Sequence, residues 1–109
     1  MIVPDEGKDF LLGAFNTGII SVGLIIDEFP LITDTWASHA WSEQEEQVTT
    51  VDSITNGVLT LVEKTFTVVN DIKGFYVRVG TNLVFTTSLE DLVGTTVAII
   101  AILGVTNVE

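Results

Sequence analysis

The sequence predicts an all-β fold: a jelly-roll-like antiparallel β-sandwich with a short N-terminal helix, or a small barrel built from the same strands. Three observations predict it. Apolar and polar residues alternate in about seven or eight short runs. Turn residues punctuate those runs, and Asn56 with Gly57 is the most explicit hairpin signal in the chain. No helical pattern alternates with the strands, which argues against a parallel α/β sheet. At 109 residues the chain is expected to be a single domain, 1–109, with one core.

In chain order, an N-terminal arm over residues 1–17 holds the expected helix, residues 6–15. Phe10, Leu11, Ala14 and Phe15 fall on one helical face, Asp5 and Glu6 suit a helix start, and residues 16–18 supply a stop. Gly7 and Gly13 weaken it by roughly 1 kcal/mol each relative to alanine. Residues 19–26 follow as a strand with two nearly apolar faces, which requires cover on both sides, by the helix on one and the opposite sheet on the other. Periodicity is then lost over a long excursion, residues 29–46. It carries Trp36 and Trp41, either plugs closing the core or anchors for a partner. Alternation resumes over 47–54 and leads into the Asn56–Gly57 turn.

Residues 57–85 read as a meander of successive strands. Leu59 and Leu61 share one face, as do Phe66 and Val68. Phe75, Val77 and Val79 alternate with Gly74, Tyr76 and Arg78, so one side is core and the other carries a phenol and a guanidinium. Gly74 marks a bulge or a close backbone approach. Leu83 and Phe85 are expected to face inward, and residues 88–93 to form a crossover. The last run, 95–105, is apolar on both faces, and the second face, with Ala98, Ile100 and Ile102, is expected to be covered by the N-terminal helix or by a neighbouring chain.

Charge and composition narrow the function classes. Hydrophobic residues make up 47% and charged residues only 17%, which excludes a disordered tail and leaves apolar surface to spare for another chain. Fifteen acidic residues against four basic ones give a net charge of -11, so nucleic acid and anionic membranes are poor partners. The apolar runs 18–26 and 97–105 are far shorter than the ~18 residues of a membrane-spanning helix, and the acidic start lacks the features of a secretory signal. Without cysteine there is neither a disulfide framework nor a thiolate metal site.

No pattern selects an enzyme. His39 and Glu43 are four residues apart and would share a helical face, but no third metal ligand can be named. The acidic run Glu43, Glu45, Glu46 lacks the spacing of a calcium loop and reads as a solvated face. No nucleophile elbow and no phosphate-cradling glycine loop occurs. The expectation is therefore no catalytic residue, no metal and no cofactor. Lys73 and Arg78, two of only four cations, are expected to pair with internal acids or with an acidic partner.

The start, with Pro4, Glu6, Gly7, Phe10, Leu11 and Leu12 followed by Val22, Gly23, Leu24 and Ile25, resembles a group of small tailed-bacteriophage structural proteins. The downstream half agrees: residues 57–61, the run Lys64, Thr65, Phe66, Thr67, then Ile72, Gly74, Phe75, Tyr76, Val77 and Leu83, Val84, Phe85. This succession is similar to that of jelly-roll capsid cement or decoration proteins, which staple shells. The excursion over 33–47 departs from it. The resemblance implies a virion protein on the capsid exterior, bound to the major capsid protein and to its own copies as a homodimer or homotrimer, with no catalytic residues. Acidity is compatible with an exterior position. The candidate partner interface is Trp36, Trp41, Tyr76, Arg78, Ala98, Ile100 and Ile102. A tail, neck or fibre-attachment component is the near alternative. A small lectin-like module binding carbohydrate or calcium, with Trp36, Trp41 and Tyr76 stacking on sugar, is the distant one.

Overall fold

The computed structural model describes residue 6 and residues 12–67, 72–92, 96–99 and 102–104. It consists of antiparallel β-sheets: β1 (Ile20–Ile26), β2 (Ser42–Thr49), β3 (Val51–Thr55), β4 (Val58–Leu61), β5 (Lys64–Thr67), β6 (Ile72–Val79), β7 (Asn82–Leu92), β8 (Thr96–Ile99) and β9 (Ile102–Gly104). One sheet has the order β2-β1-β6-β7; the other strands pair as β3-β4-β9 and β5-β8. No helix among the described residues is long and apolar enough to cross a membrane.

Alternation dictates the core. Ile20, Val22 and Leu24 of β1, Val77 of β6, Leu59 and Leu61 of β4 and Phe66 of β5 point into one cluster with Leu12, Phe15 and Ile72. Phe66, Leu24 and Leu59 are fully buried, each worth about 1.5–3 kcal/mol of apolar transfer. Half of the helix expected over 6–15, residues 7–11, lies outside the described residues. The described end is a 3-10 turn, Gly13–Thr17, which places Phe15 in the core.

The expected meander is not one sheet. Of the runs between residues 57 and 85, only β6 and β7 are hydrogen-bonded neighbours; β4 pairs with β3 and β9, β5 with β8, and β6 also with β1. Alternation assigns the faces of β4, β5 and β6 but carries no information about which strand lies beside which. The Asn56–Gly57 hairpin does form, with φ of 52° and 79° at its two central residues, the left-handed pair that a two-residue turn requires. The run over 95–105 resolves into β8 and β9, which pair with different strands, and residues 88–92 continue β7 instead of crossing over.

β2 starts at Ser42, so the acidic run is a strand and not part of the excursion. β2 and β3 are one chain path bent at Thr50. β3 pairs with β4, but beyond the bend β2 turns away to pair with β1. Side chains then take over the lost ladder to β5. Thr49 Oγ1 donates to Val62 O (2.8 Å), Gln47 Nε2 to Thr65 O (2.6 Å) and Gln44 Nε2 to Thr67 O (3.0 Å), while Glu45 Oε2 accepts from Thr67 N (3.3 Å). Glu45 has φ of 45° and is the extra residue where the β1–β2 register slips, a bulge that re-aims its carboxylate toward β5.

Two further bulges shape β7. Val77 opposes Phe85 and Arg78 opposes Leu83, leaving Val84 as the extra residue. Leu83 and Phe85, expected on the same face, are thereby sent to opposite ones: Phe85 packs on the core and Leu83 on the far side of the sheet. The second slip lies between Ile72 and Gly74, and a Cβ on Gly74 would collide with the Thr87 carbonyl of β7, so both readings of this glycine hold.

Candidate functional site

The face of the β2-β1-β6-β7 sheet turned away from the core is covered by the excursion between β1 and β2, while Leu12 and Phe15, at the described end of the expected helix, pack in the core cluster. Trp41 and Tyr76 are buried there over Ile25, with Trp36 and Leu83 packed against them. The strands align the central elements: Glu46 of β2, Gly23 of β1 and Tyr76 of β6 are direct cross-strand partners. Tyr76 lies across β1 because Gly23 has no side chain; a Cβ there would run into the phenol ring and hydroxyl.

Hydrogen bonds and ring contacts lock the cluster. Tyr76 Oη donates to Glu46 Oε2 at 2.6 Å, and Arg78 grips the same carboxylate with both Nε (2.8 Å) and Nη2 (2.6 Å). Arg78 Nη1 donates to Gly80 O at 2.7 Å, and its guanidinium lies 4.3 Å from the Trp36 ring centroid. Trp36 and Trp41 approach Tyr76 at 5.4 Å and 5.2 Å between centroids, and His39 stacks on Trp41 at 3.9 Å. Trp41 Nε1 donates to Asp34 Oδ2 at 3.0 Å. His39 Nδ1 lies 3.2 Å from Thr35 O and Nε2 3.3 Å from Glu43 Oε1.

In comparisons with known proteins, no family model, no curated protein and no solved structure matches this chain.

The site must therefore be judged on its chemistry. The Arg78 hydrogen bonds hold the Glu46 carboxyl below the ordinary carboxylate range, against the opposing effect of burial. Burial, reinforced by the hydrogen bond to Glu46, pushes the Tyr76 phenol far up, and the Glu46 bond raises the Arg78 guanidinium. Each shift strengthens the protonation state that the group already has at neutral pH. Glu46 of β2 is thereby tied to Tyr76 and Arg78 of β6 across β1, and the Arg78 guanidinium in turn holds the Trp36 ring of the excursion.

These placements correct part of the interface expectation. Trp41 and Tyr76 are buried and present no surface to a partner, because the excursion folds them against β1 and β6. Trp36 and Arg78 are half-buried and engaged with each other, and Arg78 takes the internal-pairing option. Ala98 sits in β8 opposite Thr65 and Ile102 in β9 opposite Thr60, whereas Ile100 lies outside the described residues. His39 and Glu43 do meet, but through a loop and a strand, and no metal-holding group of three side chains occurs among the described residues. Lys73 lies 5.2 Å from the Phe29 ring centroid. Sequence reasoning missed Glu46 and Asp34. Glu46 lies 30 residues before Tyr76, and no local pattern announces so distant a pairing.

Proposed function

We propose that the chain is a virion structural protein, a capsid cement or decoration protein that stabilises a shell by binding the major capsid protein on its exterior. One observation supports the reading beyond the resemblance. The polar cluster of this charge-poor β domain is satisfied internally, while the large apolar side chains of Ile19, Leu31, Ile32 and Val48 stand exposed. Such surface acts by being covered, and covering a neighbour is what a cement protein does. A jelly-roll strand arrangement, a helix over 6–15 and self-contact through Ala98, Ile100 and Ile102 belong to the same reading. A tail, neck or fibre-attachment role would use the same physics elsewhere on a particle. A lectin-like module is less favoured, because the rings that would stack on sugar contact one another and Arg78.

The test is quantitative protein analysis of purified particles. Copurification of the chain at a ratio matching the major shell protein supports the proposal. Its absence from particles, with a melting temperature that rises on adding calcium or glycans, would replace it by the lectin-like module.

A further inference from the structure

The apolar surface at the β7 edge has a shape and a charge pattern of its own. Leu31 to Asp34 form a tight turn closed by Asp34 N donating to Leu31 O at 3.0 Å. The Asp34 carboxylate pins it twice more, accepting from Leu31 N at 2.7 Å and from Trp41 Nε1 at 3.0 Å. This turn holds Ile32 at its tip, fully exposed. Beside it lies a cleft of about 270 Å³, lined by Leu31, Ile32, Asp34, Leu83, Val84 and Thr86, where the Val84 bulge turns an apolar side chain outward. A fixed apolar projection next to a cleft is the arrangement that a two-fold contact needs, since each copy's projection can enter the other's cleft.

Charge selects the occupant. Residues 29–33 and 79–89 contain no charged side chain, although the chain has fifteen acidic residues. Asp34, the acid in the cleft, has an oxygen committed to Leu31 N and Trp41 Nε1. The opposite edge of the same sheet, β2, exposes Glu43 and Glu45. Two copies carrying -11 each can therefore meet over the Leu31–Ile32 turn and residues 82–89 of β7, short of Glu90 and Asp91 at the end of that strand, without the facing glutamates that a contact along β2 would bring together.

We propose that this surface, the Leu31–Ile32 turn with the Val84 bulge of β7, is a two-fold contact between two copies of the chain. The contact does not depend on a virion role and lies apart from Ala98, Ile100 and Ile102.

Sedimentation or light scattering of the full chain over a concentration series, at low and high salt, tests it. The expected result is a mass rising from 11.8 kDa toward twice that value, at lower concentration when salt screens the net charge. Ile32→Glu and Val84→Glu each place two carboxylates in the contact and should raise the dissociation constant by about tenfold or more. Ile32→Val should leave it within about twofold of the unaltered chain. Circular dichroism verifies that the variants are folded, which full exposure of Ile32 favours. A chain monomeric at every concentration and salt overturns the proposal. So does a trimer, or a dimer that survives both glutamate variants but is lost in Ile100→Asp.

Discussion

Replacing Gly23 by alanine adds one methyl group, at the point where β1 passes under Tyr76. Its Cβ would overlap the ring and hydroxyl of Tyr76, so the ring must lift. Overpacking of this kind costs about 1–3 kcal/mol. Lifting also stretches the 2.6 Å bond to the Glu46 carboxylate, and a hydrogen bond to a charged group is worth about 1.5–3 kcal/mol. Alanine in place of glycine in a strand returns about 0.5–1 kcal/mol. The net loss is about 2–5 kcal/mol, a fall in melting temperature of about 8–20 °C for a domain of this size. Urea unfolding followed by tryptophan fluorescence measures it, because Trp41 stacks on Tyr76. The decisive comparison is Gly23→Ala in a Tyr76→Ala background, where no ring remains to displace and the substitution should be neutral or slightly stabilising. A loss below about 0.5 kcal/mol, or the same loss with and without the ring, would refute the stacking of Tyr76 across Gly23.

Three further outcomes are expected. Tyr76 is the chain's one tyrosine, and its raised pKa means that stability is fully present below the unfolded value of 10.0 and falls as pH rises above it; tyrosinate absorbance should therefore appear together with unfolding and not before. Glu46 gives the opposite limb: its lowered pKa contributes stability above the ordinary value of 4.5 that is lost as pH falls through the folded value, and Glu46→Gln should flatten the acid side of a stability–pH curve. Gln47→Ala removes the 2.6 Å bond to Thr65 O and should lower unfolding free energy by about 0.5–1.5 kcal/mol, with faster hydrogen exchange in β5.

Legibility in the sequence divides along a physical line. A strand with a buried face writes its period into the chain, so β1, β6 and the faces of Leu59, Leu61 and Phe66 could be read directly. The part of β2 ahead of Gln47 could not be read, because an edge strand with most of its residues exposed has no alternation to show. Bulges were equally silent: one extra residue at Glu45 or Val84 changes the parity of everything beyond it, which is why Leu83 and Phe85 part company. Trp36 and Trp41 stood out within the excursion, but their function as a cover depends on Tyr76, Arg78 and Glu46, which join them only through the pairing of β2, β1 and β6. Nonlocal pairing of this sort is decided by the whole core and not by any one segment.

The side-chain ladder between β2 and β5 bears on how such a domain can associate. A bare strand edge invites another strand, and a body with two inviting edges grows without end, as fibres do. Along β5 the carbonyls of Thr65 and Thr67 and the amide of Thr67 are already answered by glutamines and a glutamate of its own chain. Those three groups are closed to a newcomer strand. A two-fold contact at the turn and bulge proposed above would then close on a pair instead of seeding a fibre.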